Sequence, residues 1–357
     1  MDAHLTTHTM RAVAVTGKQQ LSVTTTAVPA PGPGQVLVRV AYCGICGSDV
    51  PRYFDGAVHA YPQVLGHEFS GTVEAVGDEV ADLRPGDRVA VAPLVPCHDC
   101  DECRAGRPSL CPRYSFVGSR QQGALADYVV VPAVNAVPVG DLDLRVAALI
   151  EPLTVAIHGV ERVGFVPGQD AAVLGGGVIG LMSVIVLRDL GARAITVVDL
   201  NPWVLDMAVR FGATHTVQVG VSDPVVHFDR VGAPDLVVET AGAAATRRLA
   251  LDVAGKNGAV VFVGTPTTDL VLDPHTFENI LRKELTIRGS WMSYSAPFPG
   301  REWARAPRLL AGAAADPAAI ITHEFDLDQV ADGFAVMRNP QEQQRLKVMF
   351  RIAGGES

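Results

Sequence analysis

Hydrophobic positions change rhythm along this chain. Between residues 10 and 150 they come in short β-branched runs, Val36-Leu-Val-Arg-Val40, Gly71-Thr-Val-Glu-Ala-Val76 and Arg88-Val-Ala-Val-Ala92, cut by Pro and Gly. Runs of that length between turn formers predict strands, and their succession predicts an all-β region. From Asp170 the pattern becomes strand, glycine turn, long helix, strand: Ala171-Ala-Val-Leu174, then Gly175 to Gly191, then Ala194 to Asp199. That is a βαβ unit opening a parallel sheet. Asp235 to Glu239, Ala259 to Val263 and Leu285 to Gly289 continue the rhythm, so an α/β, doubly wound sheet of six strands is expected. After about Trp291 come loops, a helix and a last strand, Arg345 to Arg351, by which the chain is expected to re-enter its first region. The expected division is a catalytic β domain over 1–153, a nucleotide domain over 154–291 and a return over 292–357. No repeat of solenoid length occurs.

Length fits two cores rather than one, since 357 residues exceed an ordinary single domain. A formal charge of −9, from 29 Lys and Arg against 38 Asp and Glu, provides no basic field for nucleic acid or anionic lipid. Ala171 to Leu187 carries no charge, but its four glycines and its length fall short of the roughly 20 apolar residues of a membrane span. Met1 to Met10 is polar and threonine-rich, lacks the pattern of a secretory signal, and reads as a loose tail. A cytoplasmic location follows as the expectation, and there clustered cysteines read as metal ligands or redox groups before disulfides.

Cys97, Cys100, Cys103 and Cys111 are spaced C-x2-C-x2-C-x7-C. One loop can wrap four such sulfurs around a tetrahedral zinc with bonds of roughly 2.3 Å, leaving no position for water. The centre is therefore structural, ordering a lobe at about 94–113 that has few apolar residues of its own. An iron–sulfur cluster is the rival, but a bacterial ferredoxin run brings its fourth cysteine sooner.

Cys43 and Cys46 stand in Cys43-Gly-Ile-Cys-Gly-Ser-Asp49, and alone could form a redox dithiol. Further on come Gly66-His-Glu-Phe-Ser-Gly71 and Ile150-Glu-Pro-Leu-Thr-Val-Ala-Ile-His158. Thiolate, imidazole and carboxylate together are ligands of a catalytic zinc, which keeps one position open. The glycine run Gly175, Gly176, Gly177, Val178, Ile179, Gly180 follows a strand and opens a helix, the context a dinucleotide fingerprint requires. Gly175 serves the turn, Gly177 the approach of pyrophosphate, and Gly180 the packing of helix on strand. Asp199 ends the next strand, where a carboxylate accepts from a ribose and repels a 2′-phosphate. NAD is expected over NADP, the alternative for Asp199 being a helix cap.

On these motifs the chain resembles the zinc-containing medium-chain dehydrogenase/reductase family, in its polyol dehydrogenase branch, from about Met10 to Ile352. The resemblance implies a GroES-like β domain with the four-cysteine lobe, a Rossmann-type domain, and two zincs per chain. It implies Cys46 and His67 as ligands of the catalytic zinc, with Glu68 and Glu151 as ligands or as hydrogen-bonded carboxylates behind it. Cys43 lies outside the motif and is expected to be a packed residue.

Ser48 matches the hydroxyl that takes the substrate proton, its alternative being a turn serine. Pro51 and Arg52 stand where relatives carry a relay histidine. Cys43 to Arg52, Phe116 to Arg120 and Gly289 to Trp303 further imply oxidation of a secondary hydroxyl of a polyol or polyol phosphate, of the galactitol 1-phosphate kind. Met292, Ser293 and Tyr294 replace an arginine–tyrosine pair of sorbitol dehydrogenases. Arg52 and Arg120 are candidates to meet a phosphate, or are simply structural. A homodimer or homotetramer is implied by resemblance alone. The rivals are a zinc-free reductase, unphosphorylated polyols or cyclitols as substrates, and a redox or zinc sensor that binds NAD without turnover.

Overall fold

Six parallel strands form one sheet in the order His215–Gln218, Ala194–Asp199, Asp170–Leu174, Leu236–Glu239, Ala259–Phe262, Thr286–Gly289. The structure is a computed structural model, and it describes residues 9–339, 342 and 344–352; Met1 to His8 of the expected tail lie outside the described residues. Val173 of the strand Asp170–Leu174 pairs with Val197 on one side and with Val238 on the other. Such strands read as unbroken apolar runs because helices cover both faces of a parallel sheet. The same burial explains the uncharged stretch 171–187. It is a central strand followed by the helix Val178–Asp189, whose residues 180 to 187 are all buried. Among the described residues no helix is long and apolar enough to cross a membrane.

One strand of the six was not visible beforehand. His215–Gln218 is the edge strand next to Ala194–Asp199, and its His215 and Thr216 are exposed. An edge strand with one wet face needs no apolar run.

The chain divides into two compact units, one of residues 1–151, 295–307 and 318–357, the other of residues 152–294 and 308–317. Residues 308–317 thus lie with the nucleotide-type sheet and not with the returning segment expected over 292–357.

In the first unit a sheet runs Ala136–Pro138, Arg88–Val91, Glu68–Val76, Gln35–Gly44, Lys347–Arg351, Ile321–Asp326, and Tyr128–Pro132 also pairs with Gln35–Gly44. Its pairings are antiparallel except the last, between Lys347–Arg351 and Ile321–Asp326. A second sheet of Gln20–Ala27, Thr9–Gly17 and Gln63–Val64 packs with it over one core, in which Val36, Val38, Val40, Phe69, Phe334 and Phe350 are almost wholly buried. The return of the chain is the feature that matters for the site. Met349, Phe350 and Arg351 pair with Gly44, Cys43 and Tyr42, so the last strand lies directly beside the Cys43–Asp49 segment.

Candidate active site

Two strands and a short helix gather the candidate ligands of the first unit. Gln35–Gly44 leads into Cys46, and Ser48 is the residue before the helix Asp49–Phe54. His67 immediately precedes the strand Glu68–Val76, which pairs with Gln35–Gly44 through Glu68 and Gly44. One ligand atom each from Cys46, His67 and Glu68 lie within 4.8 Å of one another. Sulfur, imidazole nitrogen and carboxylate oxygen within that reach fit a divalent zinc. Glu151, in the first turn of the helix Ile150–Glu161, stands outside this tight group but inside its field. Burial pushes the Glu151 carboxyl up to about 7; the charges of Glu68 and Asp49 act in the same sense, those of His67 and Lys347 against it.

Around these residues lies a shell of fixed charge. His67 is 4% exposed, and its Nδ1 makes no hydrogen bond although Asp49 Oδ1 stands 3.5 Å away. Burial alone would lower the His67 pKa, but the charges of Asp49 and Cys46 outweigh it and raise it well above its usual range. Asp49 accepts from Cys46 N at 3.1 Å and from Arg52 Nη1 at 2.8 Å. The same Nη1 donates to Ser48 Oγ at 3.0 Å. Ser48 is exposed and does not cap its helix, so its hydroxyl is not consumed by the backbone. Arg52 is therefore engaged with Asp49 and Ser48, while Arg120 lies over the Tyr114 ring at 4.3 Å. Lys347 was not anticipated: its Nζ donates to Ile45 O at 3.0 Å and pairs with Glu68 Oε2.

Cys43 is fully buried and stands under Gly66, where a Cβ would come within 2.6 Å of its sulfur. Burial pushes its thiol pKa well up, which suits a packed residue and opposes a reactive dithiol. Ser293 and Tyr294 are also interior, at 0% and 2% exposure, with Thr154 Oγ1 donating to Ser293 Oγ at 2.8 Å.

In the lobe, the sulfurs of Cys97, Cys100, Cys103 and Cys111 all lie within 4.8 Å of one another, Cys111 and Cys97 at 3.5 Å. A tetrahedron with bonds of roughly 2.3 Å has edges of about 3.8 Å, so the four sulfurs match a zinc cage. Backbone N–H groups of Cys97 and Cys103 donate to the sulfurs of Cys111 and Cys100, each at 3.4 Å.

In the second unit the glycine turn divides its work by position. Gly175 has φ +98, and a Cβ there would meet Ala241 Cβ at 2.9 Å. A Cβ on Gly180 would fall 1.9 Å from Gly175 O, so helix and strand meet only without it. Gly177 faces open space within 4 Å and heads the helix Val178–Asp189 with no side-chain cap, leaving its N–H groups free for an anion. Asp199 Oδ2 accepts from Gly176 N at 2.6 Å and Oδ1 from Asn201 N at 2.8 Å, while Asn201 caps the next helix. Two residues beyond those foreseen brace this turn. Thr240 Oγ1 donates to Gly175 O at 2.8 Å, and Glu239 Oε1 accepts from Ala241 N, Gly242 N and Thr246 Oγ1.

Residues 32–141 match the alcohol dehydrogenase GroES-like domain and residues 178–310 the zinc-binding dehydrogenase model. The chain is 41% identical over 302 residues to galactitol 1-phosphate 5-dehydrogenase of Escherichia coli (strain K12), covering 83% of this chain and 87% of that one. It is a zinc-containing medium-chain dehydrogenase.

The solved galactitol-1-phosphate dehydrogenase from Escherichia coli superimposes with a TM-score of 0.90 at 37% identity, covering 96% of this medium-chain dehydrogenase and 99% of that chain. Sorbitol dehydrogenase of Bacillus subtilis (strain 168) is 33% identical over 338 residues, 92% of this chain and 94% of its own. A zinc-binding dehydrogenase from Sinorhizobium meliloti 1021, solved with NADP, matches with a TM-score of 0.88 at 32% identity over 96% of this chain and 99% of that one. The alcohol dehydrogenase family, the GroES-like region and the Rossmann-type sheet expected from the motifs are thus present. The four lobe cysteines and the group Cys46, His67 and Glu68 are each close enough to hold a metal ion, which a zinc-free reductase would not need.

Proposed function

We propose that this dehydrogenase oxidises a secondary hydroxyl of a polyol or polyol phosphate, of the galactitol 1-phosphate kind, with NAD as hydride acceptor. The observation that carries the reading is the group Cys46, His67 and Glu68 within 4.8 Å, with the exposed hydroxyl of Ser48 two residues from Cys46. Cys46 and His67 would hold the catalytic zinc, with Glu68 and Glu151 as ligands or as carboxylates behind it, and the four lobe cysteines would hold a second, structural zinc. A bound zinc supplies Lewis acidity that lowers the pKa of the substrate hydroxyl.

As Ser48 Oγ takes the proton of the substrate hydroxyl it passes its own to solvent water, the residue being exposed, and the Arg52 guanidinium that donates to it holds the oxygen in place. Asp49 places its charge 3.5 Å from His67 Nδ1 and is itself neutralised by Arg52. NAD⁺, which Gly177 and Asp199 would hold, would supply the hydride acceptor, alcohol and NAD⁺ giving ketone, NADH and a proton. Gly177 and the N-terminus of Val178–Asp189 receive the pyrophosphate, Val178 and Ile179 lying in the first turn. Asp199 meets the ribose and disfavours a 2′-phosphate.

With Arg52 committed to Asp49 and Ser48, Arg120 is the candidate arginine left for a substrate phosphate. Two copies join through the outer edge of the strand Thr286–Gly289, which ends the six-stranded sheet with Ile287 exposed and Trp291 exposed two residues beyond it.

The test is initial-rate kinetics with NAD and with NADP on galactitol 1-phosphate, galactitol, sorbitol and xylitol. Better turnover of the free polyols would remove the phosphate from the proposal, and preference for NADP would remove the role of Asp199. Bound NADH without turnover of any of them would favour a sensor.

A further inference from the structure

The floor of the site holds a cation that the proposed reaction does not use. Lys347 opens the last strand and is 4% exposed, and it is the one lysine among the buried charged residues described. Its Nζ reaches Ile45 O at 3.0 Å and Glu68 Oε2, and Glu68 is 2% exposed. An ammonium so far from water persists only against fixed anions. The packing is shaped around the pair. Position 44 is a glycine, where a Cβ would lie 2.6 Å from Glu68 Oε2 and 3.1 Å from Lys347 Cδ.

Charge balance gives the pair a purpose. The Cys46 thiolate, Glu68 and Glu151 bring three negative charges around a position where a divalent ion brings two positive ones. Lys347 supplies the third. Asp49 does not enter the sum because Arg52 answers it.

Resting on the metal reading above, we propose that Lys347 is a positioning residue: it holds Glu68 by Oε2 away from the metal, so that Glu151 completes the ligand set and one position stays open for substrate. Glu68 already belongs to the group within 4.8 Å. Freed from the ammonium, its carboxylate is the donor placed to fill the open position, and a catalytic site becomes a closed one.

Cobalt in place of zinc makes ligand changes visible in the absorption spectrum. Lys347→Met, Glu68→Gln, the double variant and Lys347→Arg are loaded with Co²⁺, with folding followed by circular dichroism. Lys347→Met is expected to shift the visible bands, to release metal to a chelator more slowly, and to lose kcat by roughly 10- to 100-fold. The double variant is expected to recover the wild-type bands, because no carboxylate remains at 68 to capture the metal, and Lys347→Arg to keep them. A purely structural lysine would instead loosen the metal.

An unshifted spectrum in Lys347→Met, or a double variant that keeps the shift, overturns the proposal. Should Lys347→Met fail to fold, Glu68→Gln alone decides: wild-type bands support an unligated Glu68, and changed bands refute it. Failure of the metal reading itself looks different, since Cys46→Ser would then leave cobalt stoichiometry and spectrum unchanged.

Discussion

Arg52 Nη1 donates to Ser48 Oγ at 3.0 Å, one helical turn away, in the place where the resemblance implied a relay histidine. A guanidinium stays charged across the working pH range and cannot pass a proton onward. It can only stabilise the oxygen that receives one. Arg52→Met is therefore expected to reduce kcat by about tenfold and to cost roughly 1–3 kcal/mol of stability, since it leaves buried Asp49 without its cation. Steady-state rates and thermal melts check this. A selective rise in KM for a polyol phosphate over the free polyol would show that Arg52 binds the phosphate after all.

The two cysteine sets should fail differently. Cys46→Ser is expected to abolish turnover and leave one zinc per chain with little loss of folding. Cys103→Ser is expected to lower the melting temperature or the assembly state first, because binding energy in a closed cage is folding energy. Metal analysis beside melting curves separates them, and full activity in Cys46→Ser would discard the ligand assignment.

Asp199 has two duties, and a substitution should expose both. Its Oδ2 takes the Gly176 N–H at 2.6 Å, so Asp199→Ala removes a brace of the turn along with the ribose partner. The expected result is weaker NAD binding and a smaller preference over NADP. Unchanged discrimination in competition kinetics would place the ribose elsewhere.

Glu239 offers a test in pH. Burial raises its pKa, the bonds from Thr246, Gly242 and Ala241 oppose this, and its buried Oε2 has no hydrogen-bond partner. The folded protein thus holds a proton that the unfolded chain releases near the ordinary carboxylate value. Stability falls as pH rises from that value towards the raised one, because over this window the folded state binds more protons. Glu239→Gln keeps the acceptor for the same donors and abolishes the slope. Denaturant titrations at about pH 5 and pH 8 should show the variant gaining on the wild type at the higher pH; a constant difference would mean that Glu239 is ionised throughout.

Ile287→Lys puts a charge on the free edge of the six-stranded sheet. Light scattering is expected to report a smaller assembly, the melting behaviour of the isolated chain being kept. An unaltered mass would move the proposed contact to another face.

Local pattern explains what the sequence disclosed. Gly175 to Gly180 and the apolar runs Ala171–Leu174 and Ala194–Asp199 declare their structure within thirty residues, as do the four lobe cysteines within fifteen. His215–Gln218 stayed hidden because an edge strand carries no apolar signature. Lys347, Glu239 and Thr240 stayed hidden for another reason. Lys347 stands before an apolar run, Glu239 ends one and Thr240 follows one, as ordinary polar residues do, and the partners, Glu68 and Ile45 for the lysine, Gly175 for the threonine, are set by topology.

Lys347 lies 302 positions after Ile45, whose carbonyl it holds. At some 5–20 residues per second, a ribosome that has made Cys46 and His67 works on for roughly 15–60 seconds before the strand that completes their surroundings exists. A chain stopped before residue 347 therefore displays the proposed ligands without their counter-charge. The charge balance of the proposed metal centre is thus completed only by the strand Lys347–Arg351.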